Sequence, residues 1–188
     1  NFAAQEAPID VEQLIQGLRD AIEGNDGALT AEERDATMME FSTMMTAAEE
    51  ERAAGEAEAN KAAGDAFLEE NATREGVIVL ESGLQYEVIT EGTGASPLST
   101  DQVTVHYVGT LVDSSVFESS RESGRPATFP LNQVIPGWTE GLQLMKVGGT
   151  YKFFIPGELG YGMQVRPGSP FGPMATLIFE VELLAING

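Results

Sequence analysis

The sequence contains no cysteine and a single histidine, His106. Disulfides, thiolate nucleophiles, zinc fingers and His-pair metal sites are therefore excluded. Long apolar runs are missing too. Val77-Ile78-Val79-Leu80 is typical, whereas a membrane-spanning helix needs roughly 20 such residues. Positive charge is scarce: 10 Lys and Arg against 30 Asp and Glu give a net charge of −20. A chain that repels phosphate this strongly is a poor partner for nucleic acid or an anionic membrane surface. What is present is a globular complement, 42% hydrophobic over 188 residues, enough for one domain or two small ones.

The composition changes partway along. Residues 1–76 carry −14 of the net charge and are rich in Ala, Glu and Met, whereas residues 77–188 hold eight of the nine prolines, the one Trp and all four tyrosines. We read a boundary near Arg74-Glu75-Gly76. The first part is helical. Asp10 is an N-cap with Gln13 at the capping-box position, and Ile9 can staple onto Leu14. Val11, Leu14, Ile15, Leu18 and Ile22 follow helical spacing, and Gly24-Asn25-Asp26-Gly27 ends the helix. Thr30 with Glu33 is a second capping box. From there to about Asn71 only Gly55 and Gly64 weaken a helix, which makes a rod of roughly 60 Å. Met38, Phe41, Met45 and Ala48 form a narrow apolar seam, continued by small residues at Gly55, Ala59, Ala62 and Ala66. The first helix is too short to cover that seam, so a second copy of the chain is expected on it.

The second part reads as sheet. Residues 85–90, 102–111, 127–131, 150–155 and 176–186 carry β-branched and aromatic side chains between Gly- and Pro-rich turns. One short helix is expected after Pro136-Gly137, through Trp138 to Leu144. Many antiparallel strands around one helix make an α+β domain.

Several local patterns carry no chemistry. Gly24-Asn25-Asp26-Gly27 with Glu33 mimics a calcium loop, but its first ligand positions fall on Ile22 and Gly24, which offer no side-chain oxygen. Glu91-Gly92-Thr93-Gly94 lacks the full nucleotide-binding fingerprint and reads as a turn. His106 has no partner histidine and alternates away from Val103, Val105 and Tyr107, which marks it as structural. Glu49-Glu50-Glu51 and Glu69-Glu70 read as a solvated helix face. What remains is an aromatic set drawn from separate segments: Tyr107, Phe117, Phe129, Trp138, Tyr161 and Phe179. Trp138 falls in the first turn of the short helix. Glu118 puts a carboxylate beside apolar rings, and a long proline-restrained loop runs from Gly160 to Pro173. Core packing and a binding cavity are both consistent with this set.

Five ordered motifs carry a resemblance. Val105-His106-Tyr107-Val108-Gly109, Val116-Phe117-Glu118-Ser119-Ser120, Val134-Ile135-Pro136-Gly137-Trp138, Gly160-Tyr161-Gly162 and Ala175-Thr176-Leu177-Ile178-Phe179-Glu180-Val181-Glu182-Leu183-Leu184 resemble the FKBP-type peptidyl-prolyl cis-trans isomerases. The helical part, with Leu29-Thr30-Ala31-Glu32-Glu33, Phe67-Leu68-Glu69-Glu70-Asn71 and Ser82-Gly83-Leu84-Gln85-Tyr86, resembles the dimerisation region of the bacterial macrophage infectivity potentiator and FkpA group.

The resemblance implies a helical dimerisation and chaperone domain with a long linker helix over residues 1–76. It implies an antiparallel half-barrel wrapped around one short helix over residues 77–188. Trp138 would floor a proline pocket, with Tyr107, Phe117 and Phe179 as walls and Val134 and Ile135 along one side. The Ile135 N–H and the Tyr161 hydroxyl would hold substrate carbonyls, and Phe129 would be more peripheral. Glu118 stands where the family usually has Asp, and Asp113-Ser114 where it has an Asp-Gly turn. Neither cofactor nor metal is implied. The implied partners are unfolded or partly folded proline-containing proteins, macrolide inhibitors of the tacrolimus and rapamycin type, and a second copy in a homodimer. The implied location is the periplasm or cell envelope of a Gram-negative bacterium, with the cytoplasm as the alternative. The start at Asn1 is read as a trimmed or processed form. A binding scaffold or holdase with weak or no isomerase activity is the alternative function. On this reading, residues 77–188 alone would turn over a short proline peptide nearly as fast as the whole chain.

The uncovered seam generates the first prediction. Light scattering at micromolar concentration is expected to give a dimer, and charged replacements at Met38 and Met45 to dissociate it. A 20.1 kDa particle would overturn this.

Overall fold

The computed structural model describes residues 10–23, 30–166 and 168–187. The Ile9–Leu14 staple, the Gln13 side chain, the 24–27 turn with its calcium-like pattern, and Pro167 of the long loop lie outside the described residues. The chain divides into two compact units, residues 1–50 and 51–188.

In the first unit, α1 (Val11–Glu23) starts where Asp10 Oδ1 accepts the Glu12 N–H at 3.0 Å. The second helix, α2 (Ala31–Asn71), starts at the Thr30 capping box. The Glu33 N–H donates to Thr30 Oγ1 at 3.2 Å, and the Thr30 N–H donates to Glu33 Oε2 at 2.8 Å. These two bonds satisfy two donors that the first helical turn leaves open. The Thr30 N–H and the Thr30 hydroxyl, both donating to Glu33 Oε2, draw the Glu33 carboxyl below its usual range. Along this unit Ile15, Leu18, Ile22, Met38, Met39 and Met44 are exposed, while Phe41 and Met45 are half-buried.

The second unit takes in the last 21 residues of α2 and one seven-stranded antiparallel sheet. Its strands are β1 (Val77–Val79), β2 (Gln85–Thr90), β3 (Gln102–Thr110), β4 (Val116–Ser119), β5 (Ala127–Pro130), β6 (Thr150–Ile155) and β7 (Leu177–Asn187). The order is β1-β2-β6-β7-β3-β4, with β5 also on β3. The alternation of β3 is clean: Val103, Val105, Tyr107 and Gly109 are buried, and the residues between them face outward. The short helix α3 (Pro136–Leu142) packs its Gly137 and Gly141 against the sheet. A Cβ at either position would lie 2.6 Å from a side-chain carbon of Ile155 or Phe153. The absence of those two side chains lets the helix approach closely enough for Trp138 to enter the core.

Sequence periodicity missed β1 and β4. Both are short, and β4 contains a bulge: Gly109 pairs with Glu118 and Thr110 with Val116, which leaves Phe117 as the extra residue. The short helix also ends at Leu142, two residues before the expected Leu144.

The other difference concerns α2. The small-residue positions Gly55, Ala59, Ala62 and Ala66 are exposed. The covered stripe is instead Ala53, Ala57, Asn60, Gly64, Leu68 and Asn71, with Phe67 beside it. Two asparagines interrupt its hydrophobicity, so periodicity alone did not mark it. Leu68 packs with Phe154 and Ile178. Buried Asn71 donates through Nδ2 to Gln85 Oε1 at 2.8 Å, and Gln85 Nε2 donates to the Leu68 carbonyl at 2.9 Å. The compact unit therefore begins at Glu51, well before the compositional boundary near Gly76. Cutting at residue 77 would expose Phe154 and Ile178 and leave buried Gln85 without its partners.

Leu68→Ala in the full chain is expected to cost the second unit about 2–4 kcal/mol. The measurement is the urea midpoint followed by Trp138, which lies in that unit. An unchanged midpoint would mean that α2 does not belong to its cooperative core.

Candidate functional site

A cavity of about 260 Å³ opens between α3 and the concave face of the sheet. It is lined by Tyr107, Glu118, Phe129, Gln133, Val134, Ile135, Trp138, Tyr161 and Phe179. Trp138 is buried at its base, and three rings meet it edge to face. Tyr107 and Phe179 have centroids 5.2 Å away and Phe129 5.7 Å, all at 85–86°. Perpendicular rings place positive edges on negative faces, each pair adding about 0.5–1.5 kcal/mol beyond area burial. The indole Nε1–H is buried with no hydrogen-bond partner among the described residues. The floor is therefore formed by aromatic faces and edges.

Each ring has a local cause for its place. Ser120 fixes Tyr107: its Oγ accepts the Tyr107 N–H at 2.8 Å, and its own N–H donates to the Tyr107 carbonyl at 3.0 Å. The same Oγ lies 3.1 Å from His106 Nδ1, which accounts for the histidine as a structural residue. Pro136 starts α3 at a position where no N–H is required, so Trp138 comes in the first turn. The Ile135 carbonyl accepts the N–H groups of Trp138 and Thr139. As the N-cap, Ile135 keeps its own N–H outside the helix ladder. Thr139 Oγ1 donates to the Leu131 carbonyl at 2.8 Å and so ties α3 to the turn that carries Gln133.

Phe117 stands behind the lining and not in it. It meets Phe171 at 5.0 Å and Phe179 at 5.5 Å, edge to face in both cases. Its ring crosses Gly109, where a Cβ would lie 2.7 Å from Phe117 Cζ and 2.8 Å from Phe179 Cε1. The β4 bulge brings neighbours 117 and 118 to the same side, one into the aromatic layer and the other to the cavity. Sequence reasoning missed three residues here. Gln133 gives no signal in an exposed turn. Phe171 links Tyr161 at 5.3 Å to Phe117, a contact between segments. Gly109 was visible only as part of a motif. A second cavity of about 700 Å³ adjoins at Tyr161 and is lined by Gln164, Val165, Arg166, Ser169 and Phe171 as well.

The site has little charge. Burial holds the Tyr107 hydroxyl protonated far above the ordinary tyrosine range, reinforced by its hydrogen bond to the Glu118 carboxylate and by that charge. Tyr161 is raised too, by burial first and then by Glu118, with Arg166 opposing. Both phenols remain donors at any physiological pH. Among the described residues no cluster of His, Cys, Asp or Glu could hold a metal ion. The arrangement can enclose a small apolar ring and offer hydrogen bonds to carbonyls at its edge. The Ser114 turn keeps a positive φ of 69° despite its side chain, braced where Asp113 Oδ1 accepts the Ser115 N–H at 2.9 Å.

Comparison with known proteins points the same way. A family model described as FKBP-type peptidyl-prolyl cis-trans isomerase matches residues 94–184. Another, described as the domain amino terminal to FKBP-type peptidyl-prolyl isomerase, matches residues 1–88. The chain is 45% identical over 187 residues to the outer membrane protein MIP of Legionella longbeachae, covering 100% of this chain and 80% of that one. It is 46% identical over 175 residues to the FKBP-type 22 kDa peptidyl-prolyl cis-trans isomerase of Escherichia coli, covering 93% and 82%. The crystal structure of FkpA from Escherichia coli aligns with a TM-score of 0.79 at 37% identity, over 98% of this chain and 85% of that one.

The raised phenols predict a pH dependence. A group whose folded pKa lies above its unfolded value gives stability that is complete below the unfolded value and lost as pH rises through the folded one. For Tyr107 and Tyr161 the loss begins as pH passes 10. The melting temperature is expected to fall from there upward, and Tyr107→Phe to make the fall shallower. Parallel profiles for both proteins would contradict the assignment.

Proposed function

The chain belongs to the FKBP-type peptidyl-prolyl cis-trans isomerases and has their fold, and on that premise we propose that the cavity over Trp138 is where an X-Pro bond is twisted. The observation that carries this reading is the apolar floor of edge-to-face rings, with one carboxylate, Glu118, at its margin. Isomerisation must carry the amide past a barrier of about 18–20 kcal/mol. At mid-twist, conjugation is lost and the carbonyl becomes less polar. Water solvates the planar dipole better than the twisted form, so an apolar enclosure favours the transition state by difference. The prolyl ring sits on Trp138 between Tyr107 and Phe179, beside Val134 and Ile135, with Phe129 at the far edge. The Ile135 N–H and the Tyr161 hydroxyl hold flanking carbonyls and fix which side of the bond turns. Glu118 orients the Tyr107 hydroxyl. Phe117 backs the wall. A million-fold acceleration needs only about 8 kcal/mol, within reach of enclosure and positioning.

In this reading the protein acts on proline-containing chains that are unfolded or partly folded. Two copies joined through the helical part hold two pockets close together, which raises the effective concentration of the second once the first is occupied. Exposed Met38, Met39 and Met44, together with half-buried Phe41 and Met45, supply adaptable apolar surface for the dimer contact and for clients. Tacrolimus-type macrolides fit the same apolar enclosure. The periplasm or envelope of a Gram-negative bacterium is the proposed location. It rests on the relative named an outer membrane protein, while no helix among the described residues is long and apolar enough to cross a membrane.

Isomerisation of a short proline peptide tests the site. Glu118→Asp is expected to keep activity. Glu118→Leu is expected to lower kcat/KM by about ten- to a hundredfold, the equivalent of the roughly 1.5–3 kcal/mol of one hydrogen bond to a charged group. Tacrolimus is expected to change Trp138 fluorescence. A wild-type chain that gives this signal but turns over no peptide would favour a binding scaffold.

A further inference from the structure

The long loop between β6 and β7 carries Tyr161 to the cavity and Phe171 to the aromatic layer behind it. Both of its legs are gripped by consecutive residues of α2. On the outgoing leg, Lys61 Nζ lies 2.7 Å from Glu158 Oε1, in the turn Gly157–Leu159. On the returning leg, Asn60 Nδ2 donates to the Pro173 carbonyl at 2.9 Å. One helical turn further on, Gly64 is buried against Thr176, the last residue before β7. A Cβ at Gly64 would strike Thr176 Oγ1 and lie 3.1 Å from Thr176 Cβ. Gly55 is also in α2 but has nothing within 4 Å of where its Cβ would sit. The two helix glycines therefore differ in kind: one is idle and the other is the contact.

The grip reaches the pocket by a short route. Met174, next to the carbonyl that Asn60 holds, has a φ of 57°, which a residue with a side chain rarely adopts. From this turn the Met174 N–H donates to the Gly162 carbonyl at 2.8 Å, and the Gly162 N–H donates to the Gly157 carbonyl at 2.9 Å. Gly162 is thus tied to both legs, and Tyr161 is its chain neighbour. We infer that the 51–71 stretch of α2 is a working part of the isomerase: Asn60, Lys61 and Gly64 are positioning residues that set the rim loop, and through it Tyr161, against the pocket. This rests on the reading of Tyr161 as a pocket residue. It predicts that residues 77–188 alone turn over a short peptide more slowly than the full chain.

The test uses the full chain and matched glycine substitutions. Gly55→Ala and Gly64→Ala both raise helix propensity. Gly55→Ala is expected to leave kcat/KM for a short proline peptide at the wild-type value. Gly64→Ala is expected to lower it about tenfold, because small misplacements of positioning groups are costly. With fluorotyrosine incorporated, Gly64→Ala should displace the ¹⁹F resonance of Tyr161 and leave those of Tyr86 and Tyr151 in place. Adding Thr176→Ala removes the struck oxygen and should restore most of the activity. Asn60→Ala, which inserts nothing into the contact, should give a smaller loss with the same resonance displaced. Full activity and an unmoved Tyr161 signal in Gly64→Ala, while Tyr161→Phe is impaired, would overturn the positioning role alone. Full activity in Tyr161→Phe would overturn the pocket reading beneath it. If Gly64→Ala does not fold, Asn60→Ala decides, and wild-type kcat/KM in that variant overturns the inference.

Discussion

The structure depends on aromatic rings packed edge to face over a position that has no side chain. Phe117 and Phe179 both approach Gly109 so closely that a single methyl there would displace them. Their contact holds Phe179 against Trp138, which in turn fixes the floor shared by Tyr107 and Phe129. Each edge-to-face pair adds a modest amount, but the rings are mutually constraining, so none can turn without opening the site. The bulge in β4, the Ser120 clamp on Tyr107 and the glycine face of α3 all serve this closure. Each removes a degree of freedom that a shallow apolar pocket could not control by shape alone.

In the proposed mechanism the pocket works by exclusion, so its few polar groups must be held in one ionisation state. Burial does this for Tyr107. The carboxylate of Glu118 favours the same outcome, since a phenolate beside it would meet like charge. The protein carries −20 overall, yet among the described residues no acidic side chain is buried. A net charge this far from zero disfavours non-specific association, and in the proposed reading the largely apolar lining of the pocket recognises proline.

The long helix joins two tasks in one element. Upstream it bears the methionine seam, and downstream it is built into the isomerase unit through Leu68, Asn71 and the contacts at Asn60 and Gly64. The exposed ion pair Lys61–Glu158 adds little by itself. The buried amide pair Asn71–Gln85 matters more, because either partner left alone would be a desolvated polar group. A helix secured in this way belongs to the loop it touches as much as to the segment that precedes it.

Local patterns in the chain determined a good deal. The Thr30–Glu33 capping box, the alternation through Val103, Val105 and Tyr107, and Pro136 ahead of Trp138 each express a preference settled within a few residues, so they could be read before any tertiary contact was known. The same holds for the aromatic set and for the absence of cysteine and of a second histidine. Tertiary structure alone decided that Phe117 backs the wall, since that follows from one extra residue in a strand pairing. It alone placed Gln133 at the cavity and Phe171 between Tyr161 and Phe117. It also chose which face of α2 is buried, passing over the alanine stripe for one that contains Asn60, Gly64 and Asn71. The physical reason is common to all four. A residue's own neighbours in sequence fix its backbone, but a close approach between distant segments is paid for and rewarded only at the contact itself. A glycine or an asparagine bears no local mark of the group it will meet.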